Sequence, residues 1–243
     1  METANAKYGY VKTMKQWDIY LQPVAEHKYT IIWMHGLGDS ANGFLDFFYS
    51  SNSIVPNQNT KVVLLNAPSQ AVTCNGGMKM NSWYDIMSLG KDIRFDETQV
   101  QKSTKRVLSV ISQEVADLNN DYSKIFIGGF SQGACMAIHC SLSSEHILGG
   151  VLALSGHVFP FMLEMIEEDQ EGVYENKKKH LRLFAYHGKD DEVIDEGKAH
   201  KSYDQLKAAG FENLRFINED FLGHSVSPLE IAKIKEFLTS VMV

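Results

Sequence analysis

The sequence predicts an α/β fold, a mostly parallel, doubly wound sheet with helices on both faces. Three observations predict it. Short runs at Tyr29–Met34, 61–65, 124–127, Gly150–Leu154, 181–186 and 213–217 are apolar at successive positions, as strands covered on both faces are. Between them lie stretches with apolar residues at helical spacing, so strand and helix alternate along the chain. One of these strands runs into Gly129-Phe130-Ser131-Gln132-Gly133 and then into a helix-like stretch from Ala134 to Cys140. In that setting G-x-S-x-G marks a sharp strand-to-helix turn.

Trp17, Ile19 and Leu21 alternate with Asp18, Tyr20 and Gln22, which predicts a half-exposed strand. A turn at Glu26 and His27 leads into the two-faced strand Tyr29–Met34, followed by the glycine-bearing loop His35-Gly36-Leu37-Gly38-Asp39-Ser40. After the strand at 61–65 comes a loop-rich excursion at 67–91. A helix over 97–118 carries Val100, Val107, Leu108, Ile111, Val115 and Leu118 at helical spacing. A second excursion, 157–180, carries Phe159, Phe161, Met162, Met165 and Ile166 and ends in Lys177-Lys178-Lys179, expected to be a solvated face. Both excursions follow strands, so both are expected at the carboxyl end of the sheet, where open α/β sheets bind ligands. A helix over 197–209 follows the strand at 181–186. Ser227-Pro228-Leu229-Glu230 is a capping box with proline at the first helical position, opening a last helix. No repeat, low-complexity tract or linker divides the 243 residues, so one domain spanning 1–243 is expected.

A net charge of -7 argues against a nucleic-acid partner. Cys74, Cys135 and Cys140 are too scattered for a disulfide framework, and no cysteine or histidine spacing fits a metal. Met1 to Lys15 is polar and mixed in charge, unlike a secretory signal, and no apolar run is long enough to span a bilayer. A reduced, cytoplasmic protein with at most transient membrane-surface contact is expected. Nothing in the sequence specifies an oligomeric state.

The turn at Ser131 would hold a hydroxyl out at the carboxyl end of the sheet, beside the Gln132 amide at a helix N-terminus. Side chains two residues either side would collide, so both flanks are glycine. The bland alternative is a helix-capping serine. A nucleophilic serine needs a base, and the base an orienting acid, in the chain order Ser, Asp or Glu, His. His224, between the last strand and the last helix, fits the base, whereas His200 falls within a helix. The acid is expected after the strand at 181–186, and spacing does not separate Asp190 from Asp191; one would orient His224 and the other hold the loop. The second half of an oxyanion hole would come from the loop at 35–40, with the Leu37 amide as its candidate.

Together H-G-L-G-D (35–39), N-A-P (66–68), S-W-Y-D-I (82–86), G-F-S-Q-G-A (129–134), H-G-K-D-D (187–191) and G-H-S (223–225) resemble the acyl-protein thioesterases. These belong to the phospholipase/carboxylesterase group of α/β-hydrolases. The resemblance implies Ser131 as nucleophile, His224 as base, Asp191 as acid, and the Leu37 and Gln132 amides as the oxyanion hole. It implies cleavage of thioesters of S-acylated (palmitoylated) proteins, or of carboxylic and lysophospholipid esters, with neither cofactor nor metal. A non-catalytic acyl-chain binder is the alternative of another class. Met78, Met80, Trp83, Phe159 and Phe161 are the candidate acyl-contacting residues, methionine being suited to irregular apolar shapes. Glu192 stands where the family commonly has proline, and 157–180 matches the family least.

Overall fold

The computed structural model describes residues 6–88 and 94–242. Its strands are β1 (Ala6–Lys7), β2 (Tyr10–Lys15), β3 (Asp18–Pro23), β4 (Tyr29–Met34), β5 (Thr60–Leu65), β6 (Ser69–Val72), β7 (Met78–Asn81), β8 (Ile86–Ser88), β9 (Arg94–Phe95), β10 (Ile125–Phe130), β11 (Gly150–Leu154), β12 (Leu183–Gly188) and β13 (Leu214–Glu219). Its helices are α1 (Leu45–Phe48), α2 (Glu97–Ala116), α3 (Gln132–Ser143), α4 (Pro160–Glu167), α5 (Glu175–His180), α6 (Glu196–Ala208) and α7 (Pro228–Val241). Among the described residues, nine strands form one sheet in the order β1-β2-β3-β5-β4-β10-β11-β12-β13. From β5 to β13 all neighbours are parallel, and β1 to β3 extend the sheet antiparallel.

Successive side chains of each inner strand enter opposite cores. Ile32, Met34, Val63 and Ile127 pack with α2, α3 and α6 on one face, whereas Ile31, Trp33, Val62 and Phe126 pack with α1 and α7 on the other. This two-sided burial is what the continuous apolar runs encode. Helix starts are also local in origin. The Asp96 carboxylate accepts from the Gln99 amide at α2, Asp195 does the same for Lys198 at α6, and Ser227 closes the capping box of α7.

The chain leaves β4 toward β5 on one side and later returns to place β10 on the other, so β4 and β10 are adjacent while their following loops diverge. That is a topological switch point, where a crevice opens at the carboxyl ends of the strands.

Several boundaries differ from expectation. β10, β12 and β13 run farther toward the crevice than 127, 186 and 217, because their last residues still pair with neighbours. Trp17 lies outside β3 and is exposed. Of the excursion at 67–91, residues 69–81 form the β6–β7 hairpin and 86–88 pair with β9, while 89–91 lie outside the described residues. The excursion at 157–180 is two short helices. Lys177 corrects the expected solvated face, because it is buried against the Tyr174 ring, 5.7 Å from its centroid.

Candidate active site

Ser131 takes φ 55° and ψ −118°, and its side chain makes no capping bond to α3. The hydroxyl is therefore not held as a helix cap, and the backbone is in a region that costs a non-glycine residue about 1–3 kcal/mol. The surroundings enforce it. The Ser131 amide donates to the Leu154 carbonyl at 2.8 Å. A Cβ at Gly129 would lie 2.4 Å from the carbonyl carbon of Gly133, and one at Gly133 would lie 2.2 Å from the Met34 oxygen. Both flanking glycines are thus required by close backbone approach.

The loop after β4 lies against this turn. A Cβ on Gly36 would sit 3.4 Å from the Ser131 Cβ. Neither the Leu37 nor the Gln132 amide is spent on a backbone bond among the described residues.

Hydrogen bonds join the distant motif segments into one unit. The Gln132 side chain accepts from the Trp83 amide at 2.9 Å and donates to the Tyr84 carbonyl at 2.8 Å. The Trp83 indole donates to the His35 carbonyl at 2.9 Å. The Ala67 amide donates to His35 Nε2 at 3.0 Å, so His35 carries its proton on Nδ1 and donates it to the Gly36 carbonyl at 2.6 Å. Burial holds His35 below the usual histidine pKa, despite its bond to Gly36.

Asp191 and His224 meet on the other side. His224 Nδ1 lies 2.7 Å from Asp191 Oδ2. Asp191 Oδ1 accepts from the amides of Val193 and Ile194 at 2.9 and 2.8 Å. The fully buried His187 places Nε2 2.9 Å from the Ile194 carbonyl and 3.2 Å from Asp191 Oδ2. Burial alone would raise the Asp191 carboxyl, but the bonds from His187, His224 and the Ile194 amide outweigh it and hold the group well below the usual carboxylate range. An ionised Asp191 accepts a hydrogen bond from the proton that His224 carries on Nδ1. The His224 ring packs on Phe130, the neighbour of Ser131, with centroids 4.8 Å apart.

Asp190 and Asp191, which spacing did not separate, take different places. Asp191 both meets His224 and takes the loop amides, whereas Asp190 faces solvent and contributes its own amide to the Leu222 carbonyl at 3.0 Å. Asp190 therefore does not hold the loop through its carboxylate, contrary to the expected division of labour. His200 lies exposed on α6.

The five candidate acyl-contacting residues separate. Met78 is 65% exposed on the β6–β7 hairpin, and the Met80 sulfur faces Gly38 in the loop after β4. Trp83 and Phe159 are packed into the core, and Phe161 stacks on Phe159. Near them a groove of about 670 Å³ opens between α4 and α6, with Phe95, Val158, Pro160 and Leu163 among its apolar lining. Three residues that sequence reasoning gave no role also shape the site. They are His187, Phe130 and the side chain of Gln132. Each was visible only as a letter within a motif.

The phospholipase/carboxylesterase family profile matches residues 20–242. The chain belongs to this family and is a serine hydrolase with the α/β-hydrolase fold. Acyl-protein thioesterase 1 homolog 1 of Dictyostelium discoideum is 35% identical over 233 residues, covering 96% of this chain and 99% of that protein. The crystal structure of Zea mays acyl-protein thioesterase 2 superposes with a TM-score of 0.81 at 28% identity, covering 93% of this chain and 99% of that one. Arabidopsis thaliana SOBER1 superposes at 0.76 with 31% identity, covering 89% and 100%. Among the described residues no helix is long and apolar enough to cross a membrane.

Proposed function

We propose that the chain cleaves acyl thioesters of S-acylated proteins, and carboxylic esters of similar acyl groups, through Ser131, His224 and Asp191. The carrying observation is the uncapped Ser131 at positive φ, whose neighbour Phe130 packs on a histidine with its Nδ1 bound by a buried carboxylate. In this reading His224 Nε2 takes the Ser131 proton as the hydroxyl oxygen attacks the acyl carbonyl. The oxyanion is met by the Leu37 and Gln132 amides. His224 then protonates the departing thiol or alcohol, and water repeats the sequence to release the acid. The names of the Dictyostelium and maize relatives support the thioester of an acylated protein as substrate. The family's lysophospholipid and carboxylic esters would use the same machinery. Three free, scattered cysteines fit work in the cytoplasm.

The test is Ser131→Ala, with matched thioester and ester series of increasing chain length on the parent protein. In another serine hydrolase, losing the nucleophile costs about 10⁶ in kcat. A folded Ser131→Ala protein should lose at least about 10³ in kcat and all labelling by a fluorophosphonate probe. Unchanged turnover in that variant would reject the reading. A flat response to chain length would restrict it to small esters.

A further inference from the structure

His224 rides on the loop between Glu219, the last residue of β13, and Ser227, the cap of α7. One carboxylate ties the two ends together. Glu219 Oε2 accepts from the Ser227 hydroxyl at 2.5 Å and from the Tyr186 hydroxyl of β12 at 2.6 Å. Ser227 Oγ in turn accepts from the Glu230 amide at 2.9 Å, and the Ser227 amide donates to Glu230 Oε2 at 3.4 Å.

In a capping box on an ordinary helix the glutamate lies in water at the positive end of the helix dipole, where its charge is favoured. Here Glu230 is fully buried and its Oε1 has no partner. The titratable groups facing it are Glu219 from β13 and Tyr186 from β12, beside Ser227 at its own cap. Among the described residues neither carboxylate forms an ion pair with a lysine or arginine. Burial pushes the Glu230 carboxyl up to about 8, the Ser227 amide opposes this, and the charge of Glu219 adds to it.

We propose that Glu230 is a positioning residue for His224, closing the Glu219–Ser227 clasp while it is neutral and opening it on losing its proton. This rests on the reading of His224 as the base. A second negative charge beside Glu219 has no cation to meet it. Relief comes from moving the first turn of α7 toward water, which breaks the Ser227 bonds and draws His224 away from Asp191. The outcome is a loss of turnover, with substrate contacts unaffected.

The experiment measures kcat and KM for a medium-chain ester from about pH 6 to about pH 10, with buffer hydrolysis subtracted, on the parent, Glu230→Gln and Glu219→Gln proteins. Fluorophosphonate labelling is followed in parallel. The parent kcat should fall with a midpoint near 8, reaching about a tenth of its plateau one pH unit higher, while KM holds. Glu230→Gln should remove that fall. Glu219→Gln should move its midpoint to lower pH, because a neighbouring negative charge no longer opposes ionisation. An alkaline fall unmoved in both variants overturns the proposal. If Glu230→Gln does not fold, an unmoved midpoint in Glu219→Gln overturns it alone. Intact Ser131 labelling with an unmoved midpoint rejects only the positioning role, whereas turnover by Ser131→Ala rejects the catalytic reading itself.

Discussion

The turn at Ser131 and the β6–β7 hairpin both touch the loop after β4, and they are built in opposite ways. Around the turn, a single added methyl group at Gly129 or Gly133 would strike backbone atoms. On the hairpin, a Cβ at Gly76 or Gly77 would meet nothing within 4 Å, and the Met78 side chain stands in water. The hairpin is held at its edges, by Thr73 bonded to the Asp85 carboxylate and by Asn81 bonded to the loop after β4. The place of the Ser131 hydroxyl is thus set by backbone packing without slack. The hairpin instead carries side chains with room to move.

The largest expected effect lies on the rigid side. Asp191→Asn should lower kcat by about 10⁴, the loss seen when the orienting acid of another serine triad is replaced. Asp190→Asn should change kcat by less than about threefold, since surface substitutions cost about 0.5 kcal/mol or less. Steady-state kinetics on the two variants compares them directly, and a more damaging Asp190→Asn would shift the acid by one residue.

Next comes Gly133→Ala. The clash with the Met34 carbonyl should cost about 3 kcal/mol or more of stability, at the upper end for an overpacked core. Chemical denaturation would read it, together with loss of fluorophosphonate labelling. Wild-type stability would mean that the turn has slack after all.

The smallest effect belongs to the hairpin. Met78→Ser should leave stability within about 0.5 kcal/mol of the parent. It should reduce the octanoyl-over-acetyl preference in kcat/KM by about four- to fifteenfold, the worth of one or two buried methylenes. An unchanged preference would remove Met78 from the acyl path.

These contrasts also separate what was legible in the sequence. The inner strands and the turn at Ser131 were readable, because two-sided burial and close backbone approach leave direct marks as apolar runs and paired glycines. β2 left no such mark, since most of its residues are exposed. The hairpin left only turn residues. Spacing could not show which of Asp190 and Asp191 meets His224, because burial of one and exposure of the other depend on where the His224 loop packs. Glu219 and Glu230 were silent for the same reason: the capping box was legible, but its burial is a property of the neighbouring strands.

His35 has a consequence for where such a protein can persist. Its Nε2 accepts the Ala67 amide, so an added proton would set two donors face to face inside the loop that presents the Leu37 amide. His139, also buried, is held down to about 4 by desolvation. Histidines kept neutral in the fold but free to charge when unfolded draw protons toward the unfolded chain. Their contribution is complete above the ordinary histidine value near 6.5 and shrinks as pH falls toward their lowered folded values. Melting temperature should therefore decline from about pH 6.5 downward, less steeply in His139→Gln. A chain delivered to an acidified vesicle would be destabilised at the loop after β4 and in the core together, so acidification would weaken its fold without an inhibitor.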